Sequence, residues 1–163
     1  MKKVFIAFGG NQGNVVKNFQ DALVLLAKEN IILENFSKIY RSEPHGYKNQ
    51  DFFLNAVGLF NTEKSPDELL QILLKIEKTL KRERTFKNAP RPIDLDIIFY
   101  ENEIIENENL IIPHKEFSRR NFVLYPLNDI APDFVDPYSK KSINQILQTS
   151  NFSEEIYETE YKI

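Results

Sequence analysis

Apolar and polar positions along the chain divide it into short segments of alternating character. Val4 to Phe8 is an unbroken apolar run stopped by Gly9-Gly10-Asn11-Gln12-Gly13, which predicts a short buried strand ending in a turn. From Val15 to Glu29 the apolar residues Val15, Phe19, Ala22, Leu23, Leu26 and Ala27 return at helical spacing, which predicts an amphipathic helix. Ile31 to Arg41 is rich in β-branched and aromatic residues and reads as one strand, ended by the loop signal Ser42-Glu43-Pro44-His45-Gly46-Tyr47. Phe52 to Phe60 reads as the next strand, with Phe53, Asn55, Val57 and Leu59 on one face. Ser65-Pro66-Asp67-Glu68 then opens a helix with an N-cap serine, proline at the first helical position and an acid at the third, and Leu69, Leu70, Leu73, Ile76 and Leu80 continue it.

Arg91-Pro92-Ile93-Asp94-Leu95-Asp96-Ile97-Ile98-Phe99 closes this series as a strand. Plain alternation puts Ile93, Leu95, Ile97 and Phe99 on one face and Asp94, Asp96, Ile98 and Tyr100 on the other. The order strand, helix, strand, strand, helix, strand is the ferredoxin-like βαββαβ pattern: an α+β fold whose antiparallel sheet carries two helices on one face. The remainder is an elaboration on that core. Glu101-Asn102 reads as a hairpin turn into Glu103-Ile104-Ile105, Pro113-His114 opens a loop that ends in Arg119-Arg120-Asn121-Phe122, Ala131-Pro132 stops the apolar stretch Val123 to Leu127, and Ile143 to Leu147 predicts a last short helix. No repeat or change of composition divides the chain, so 1–163 is expected to form one domain.

Charge changes the reading of the last core strand. Aspartate is a poor strand residue, yet Asp94 and Asp96 share a face, their Cα atoms about 6.5 Å apart at a rise of roughly 3.3 Å per residue. Paired carboxylates at that spacing suit hard cations; a solvated sheet edge is the plainer alternative. Residues 75–91 hold seven cations, Lys75, Lys78, Lys81, Arg82, Arg84, Lys87 and Arg91, against Glu77 and Glu83, in a chain of net charge −3. A basic segment leading into paired aspartates is the complement of a polyphosphate with divalent cations, although a solvated helix end also tolerates such a run.

The remaining chemistry is less pointed. The Gly9 to Gly13 turn lacks the Lys-Ser/Thr of a P-loop and the spacing of a dinucleotide fingerprint, so it reads as a turn, or as backbone approached closely by a ligand. Asn55, an amide on an otherwise apolar strand face, either ties down the neighbouring loop or reads a ligand. His114, one of two histidines, is a loop residue or a phosphate contact. The chain has no cysteine, which excludes a disulfide framework and thiolate metal sites. Its first apolar run spans five residues, too short for a signal peptide or membrane span, so a cytoplasmic protein without a membrane partner is expected. Apolar residues make up 42% and charged residues 28%, an ordinary globular balance that gives no support to nucleic-acid binding.

Taken together, Ala7-Phe8-Gly9-Gly10-Asn11-Gln12-Gly13-Asn14, Tyr40-Arg41-Ser42-Glu43-Pro44, Phe53-Leu54-Asn55-Ala56-Val57, Ala89-Pro90-Arg91-Pro92-Ile93-Asp94-Leu95-Asp96-Ile97, Ile112-Pro113-His114 and Arg120-Asn121-Phe122-Val123-Leu124-Tyr125-Pro126-Leu127 resemble, in order, the segments of the 6-hydroxymethyl-7,8-dihydropterin pyrophosphokinases. The resemblance implies a ferredoxin-like fold and a step of folate synthesis, in which the pterin hydroxymethyl oxygen attacks the β-phosphorus of ATP and AMP leaves.

By the same resemblance, Asp94 and Asp96 match aspartates holding two magnesium ions (Mg2+) on the triphosphate, and Arg82, Arg84 and Arg91 match the basic loop that reaches the phosphates. Glu77, Ile97, His114 and Arg120 match the nucleotide side. Phe53 and Phe122 match two rings that sandwich the pterin, Asn55 the amide that reads its edge, and Ser42 a neighbouring contact. Ala89, Asn88 and Lys115 depart from the family's usual glycine, aromatic and tyrosine. The expected partners are ATP and the hydroxymethylpterin, and the expected assembly is a monomer or weak homodimer. A two-metal nuclease and an ATP-sensing module without chemistry are the rival readings.

Overall fold

A computed structural model of the chain describes residues 1–44, 49–80 and 89–163. Its first core unit is β1 (Lys2–Gly10), α1 (Val15–Lys28), β2 (Ile32–Phe36), β3 (Tyr40–Ser42), β4 (Phe53–Thr62), α2 (Pro66–Thr79) and β5 (Asp94–Tyr100). The expected order of elements is present. Local chemistry sets the helix starts: Asn14 accepts the Lys17 amide at 3.1 Å at the head of α1, and Ser65 and Glu68 form a reciprocal capping box on α2.

The sheet runs β5-β1-β4-β3, with β2 also paired to β4, all antiparallel. On one face Val4, Ile6, Phe8, Leu54, Ala56 and Phe60 pack beneath Phe19 and Leu26 of α1 and Leu69 and Leu73 of α2. The other face carries a second core. There α3 (Asn121–Ile130) and α4 (Ile143–Thr149) bring Val123, Leu124, Leu127, Ile143 and Ile146 onto Phe5, Val57, Ile98 and Phe99. The C-terminal elaboration thus covers the face that the ferredoxin-like unit leaves open. Within α3, Pro126 has no N–H for the Phe122 carbonyl one turn back.

Three expectations need correction. The strand read over Ile31 to Arg41 is two strands, broken where the Ser37 hydroxyl takes the Val57 amide at 2.9 Å and gives its own proton to the Lys38 carbonyl at 2.7 Å. Plain alternation fails at the end of β5. Its register to β1 runs Ile6 with Ile97 and then Phe5 with Phe99, leaving Ile98 as the extra residue of a bulge. Phe99 therefore joins Phe5 and Phe117 on the α3 face, with Phe134 packed 4.7 Å from its ring, while Tyr100 joins the α1/α2 core. The turn at Glu101, with φ +48°, leads not to a partner for β5 but to β6 (Ile105–Glu106), which pairs with β7 (Ile111–Ile112) in a separate ribbon.

The last residues form β8 (Ile156–Glu158), an antiparallel strand added outside β3. No element was expected there.

Candidate active site

Strand register builds the site. Gly9 of β1 lies opposite Asp94 of β5 on one side and Asn55 of β4 on the other, and Asn55 lies opposite Tyr40 of β3. Residues paired in this way share a face, so Asp94, Gly9, Asn55 and Tyr40 form one row across four strands. Asp96, Ala7 and Val57 form the next row, toward the α3 core. A Cβ on Gly9 would stand 3.4 Å from Asn55 Oδ1; its absence leaves a shallow floor between the carboxylate side and the amide side. At that end of the face α3 begins, with Asn121 and Phe122 in its first turn.

Arg91 is held before β5 by its own backbone. Asn11 Oδ1 accepts the Arg91 amide and the Asn11 amide donates to the Arg91 carbonyl, each at 2.9 Å. The Asn11 side-chain amide also donates to Gln50 Oε1 at 2.7 Å and to the Asp51 carbonyl at 3.0 Å, so one asparagine joins three segments. Next to it, a Cβ on Gly10 would fall 2.5 Å from the Pro92 carbonyl oxygen, which only glycine permits. The Gly-rich turn is thus approached closely by the protein's own backbone. The role of Asn11 was not legible in the sequence; its place beside two glycines, at the end of a strand, is the signal that could have suggested a loop tie. A polar cavity of about 590 Å³ lies between Gly13, the 49–51 segment and Pro90.

The Arg91 side chain reaches both halves of the site. Its Nε lies 3.5 Å from Asp94 Oδ2, Nη1 donates to the Ala89 carbonyl at 2.6 Å, and the guanidinium carbon sits 4.9 Å from the centre of the Phe53 ring. Asp94 keeps about a quarter of its side chain exposed (26%). Glu77, buried on α2, accepts the Leu95 amide at 2.7 Å. It therefore braces the edge strand between the two aspartates. Ile97 has its side chain in the α1/α2 core, so toward a nucleotide it offers backbone.

His114 follows β7 and donates its amide to the Ile98 carbonyl at 2.9 Å, which ties its loop to β5. Its Nδ1 accepts the Glu116 amide at 3.1 Å. Burial, helped by the Arg120 charge and opposed by Asp94 and Glu116, pushes the imidazole down to about 4. The ring is neutral near pH 7 and, with Nδ1 accepting, carries its proton on Nε2. Arg120 enters α3 with its guanidinium 5.7 Å from the Phe122 ring centre.

On the amide side, the buried Asn55 donates through Nδ2 to the buried Ser42 hydroxyl at 2.8 Å. That bond sets the plane of the Asn55 amide. Phe53, on the same strand face, is buried, and Phe122 is partly buried against the α3 core. Of the expected residues, the fold gathers Asp94, Asp96, Arg91, Phe53, Asn55 and Ser42 on or beside one sheet face, and sets His114, Arg120 and Phe122 on the elements that border it. Arg82 and Arg84 lie outside the described residues. Among the described residues no three His, Cys, Asp or Glu side chains gather into a metal cage.

Residues 5–132 match the family model described as 7,8-dihydro-6-hydroxymethylpterin-pyrophosphokinase. The chain belongs to that family. It is 44% identical to the 2-amino-4-hydroxy-6-hydroxymethyldihydropteridine pyrophosphokinase of Synechocystis over 88% of this chain and 73% of that protein. Against the protein of the same name from Aquifex aeolicus it is 35% identical, over 89% of this chain and 90% of that one. It is also 41% identical to the folic acid synthesis protein FOL1 of Dictyostelium discoideum over 82% of this chain, spanning about a fifth (20%) of that protein's length. A Plasmodium falciparum HPPK-DHPS structure with pteroate shares the fold at a TM-score of 0.73 and 15% identity, over 90% of this chain and 42% of that one. The pyrophosphokinase relatives carry the expected reaction class in their names, pyrophosphoryl transfer to a hydroxymethyldihydropteridine. No helix among the described residues is long and apolar enough to cross a membrane.

Proposed function

We propose that this chain transfers the diphosphoryl group of ATP to the hydroxymethyl oxygen of 6-hydroxymethyl-7,8-dihydropterin and releases AMP, a step of folate synthesis. The observation that supports this reading above all others is the row Asp94, Gly9 and Asn55, which sets a metal-type carboxylate and a ring-reading amide at opposite ends of one bare glycine floor.

Asp94 and Asp96 offer hard oxygen donors on one strand face but no complete cage, the donor set expected where phosphate oxygens and water complete the coordination. Two magnesium ions fit it, and when bound they neutralise the triphosphate and polarise its β-phosphoryl group. Glu77 holds the strand that carries both aspartates. Arg91 supplies a cation to the phosphates, joined in this reading by Arg82 and Arg84. The neutral His114 ring offers an Nε2 proton to a nucleotide oxygen, and Arg120 adds charge beside it. Asn55, set by Ser42, reads the pterin edge, while Phe53 and Phe122 take its two faces. Transfer of this kind asks chiefly for positioning and charge neutralisation.

The deciding assay incubates the protein with ATP, magnesium and the hydroxymethylpterin and follows AMP. AMP formed only when pterin is present is expected. Cleavage of nucleic acid would favour a nuclease, and ATP bound and returned unchanged would favour a sensing module. The same reading takes 1–163 as a single domain acting in the cytoplasm as a monomer or weak homodimer, without nucleic-acid or membrane partners.

A further inference from the structure

The family match ends at residue 132, yet the chain beyond it returns to the site. β8 pairs with β3 in the register Ser42 with Ile156, Arg41 with Tyr157 and Tyr40 with Glu158. Past the strand, the Thr159 amide and hydroxyl both donate to the Ile39 carbonyl, at 3.0 and 2.8 Å. Lys38 and Glu158 form an ion pair at 3.2 Å. The Arg41 guanidinium lies 4.2 Å from the Phe52 ring centre and 6.0 Å from that of Tyr157. Before the strand, the side-chain amide of Asn121 donates to the Glu154 carbonyl at 2.8 Å, and Asn121 is only 3% exposed.

These ties end on the two walls assigned to the pterin. Ser42, directly opposite Ile156, is the partner that orients Asn55. Asn121 precedes Phe122 in the first turn of α3, a helix whose N-cap, Arg120, makes no side-chain capping bond. β3 is only three residues long, a length at which pairing on both sides matters to its position.

We infer that residues 154–159 act as a strap that sets the distance between the Ser42/Asn55 wall and the Phe122 wall, with Asn121 as a positioning residue for the pterin ring. The inference rests on the pterin reading of this site. The Asn121 amide is committed to a tail carbonyl, so its loss is expected to act chiefly on the ring slot. Misplacing one wall of a stacking slot by a fraction of an ångström weakens ring binding while the Asp94 side of the sheet stays in place.

The test measures steady-state KM for pterin and for ATP, with melting temperature, in the wild type, in Asn121→Ala and in a chain ending at Ser150. Asn121→Ala is expected to raise the pterin KM roughly tenfold while the ATP KM moves less than about twofold. The shortened chain is expected to shift the same way and further; if it melts below the assay temperature, Asn121→Ala decides alone. Both KM values rising together, or neither, in a wild-type-like folded Asn121→Ala protein overturns the strap. A wild type that forms no pterin-dependent AMP overturns instead the reading on which it rests.

Discussion

The Arg91 guanidinium covers the Phe53 ring at 4.9 Å from its centre while its Nε stays 3.5 Å from Asp94. One cation thus joins the carboxylate half of the site to the aromatic half. A triphosphate arriving at Asp94 and Asp96 competes for that guanidinium with oxygens of full negative charge, against which a ring quadrupole is a weak partner. On the proposed reading, nucleotide binding is expected to draw Arg91 away and open Phe53 to a flat ligand.

Pterin is therefore expected to bind more tightly when a nonhydrolysable ATP analogue and magnesium are present. Titration calorimetry checks this directly. Equal pterin affinity with and without the analogue would remove the coupling.

Asp94→Ala and Asp96→Ala are each expected to abolish turnover with little loss of fold. Both carboxylates are only half-buried and neither belongs to an apolar core, so truncating either opens no hole in the packing. Activity near wild type at millimolar magnesium in either variant would end the metal assignment; circular dichroism reports the fold.

Phe122 packs only partly into the α3 core, which separates it from fully buried rings such as Phe99 and Phe60. Truncating a fully buried phenylalanine costs about 3–5 kcal/mol of stability. Phe122→Ala is expected instead to weaken pterin binding at least about tenfold, about 1.4 kcal/mol. ATP binding should stay within a few-fold and the melting temperature should move slightly. A large fall in melting temperature with unchanged pterin affinity would return Phe122 to the core.

His114 makes the fold sensitive to acid. Its folded value is pushed down to about 4 from 6.5, so the unfolded chain takes up the proton first as pH falls. The stability tied to the neutral ring is complete above pH 6.5 and is lost as pH falls from there toward 4. At pH 4.5 the loss amounts to roughly 2–3 kcal/mol. Urea unfolding at pH 7 and 4.5 should show a smaller fall for His114→Asn than for the wild type; equal falls would mean that the ring is not held neutral.

Much of the fold is legible along the chain because its signals are local. Helical spacing from Val15 to Glu29, the Ser65 and Glu68 pair that becomes a capping box, and apolar runs ended by glycine or proline each depend on residues a few positions apart. So does the coincidence of Asp94 and Asp96 on one face, which holds because the bulge comes after them, at Ile98.

What only the tertiary structure decided is register and meeting. No property of residues 94–100 announces that Ile98 is skipped and that Phe99 and Tyr100 change faces, because the skip is set by pairing with Phe5 and Ile6. Gly9 gains its meaning from standing between Asn55 and Asp94, and Asn11 from meeting Arg91, 80 positions away. The tail from Glu154 to Thr159 has too little apolar pattern to read as an element; β3 on one side and Asn121 on the other make it one. Sequence determined which local structures this chain forms, since dihedral preference and amphipathic spacing act over single turns. Tertiary structure decided which of them touch, since backbone pairing and buried polar bonds take their partners from anywhere in the chain.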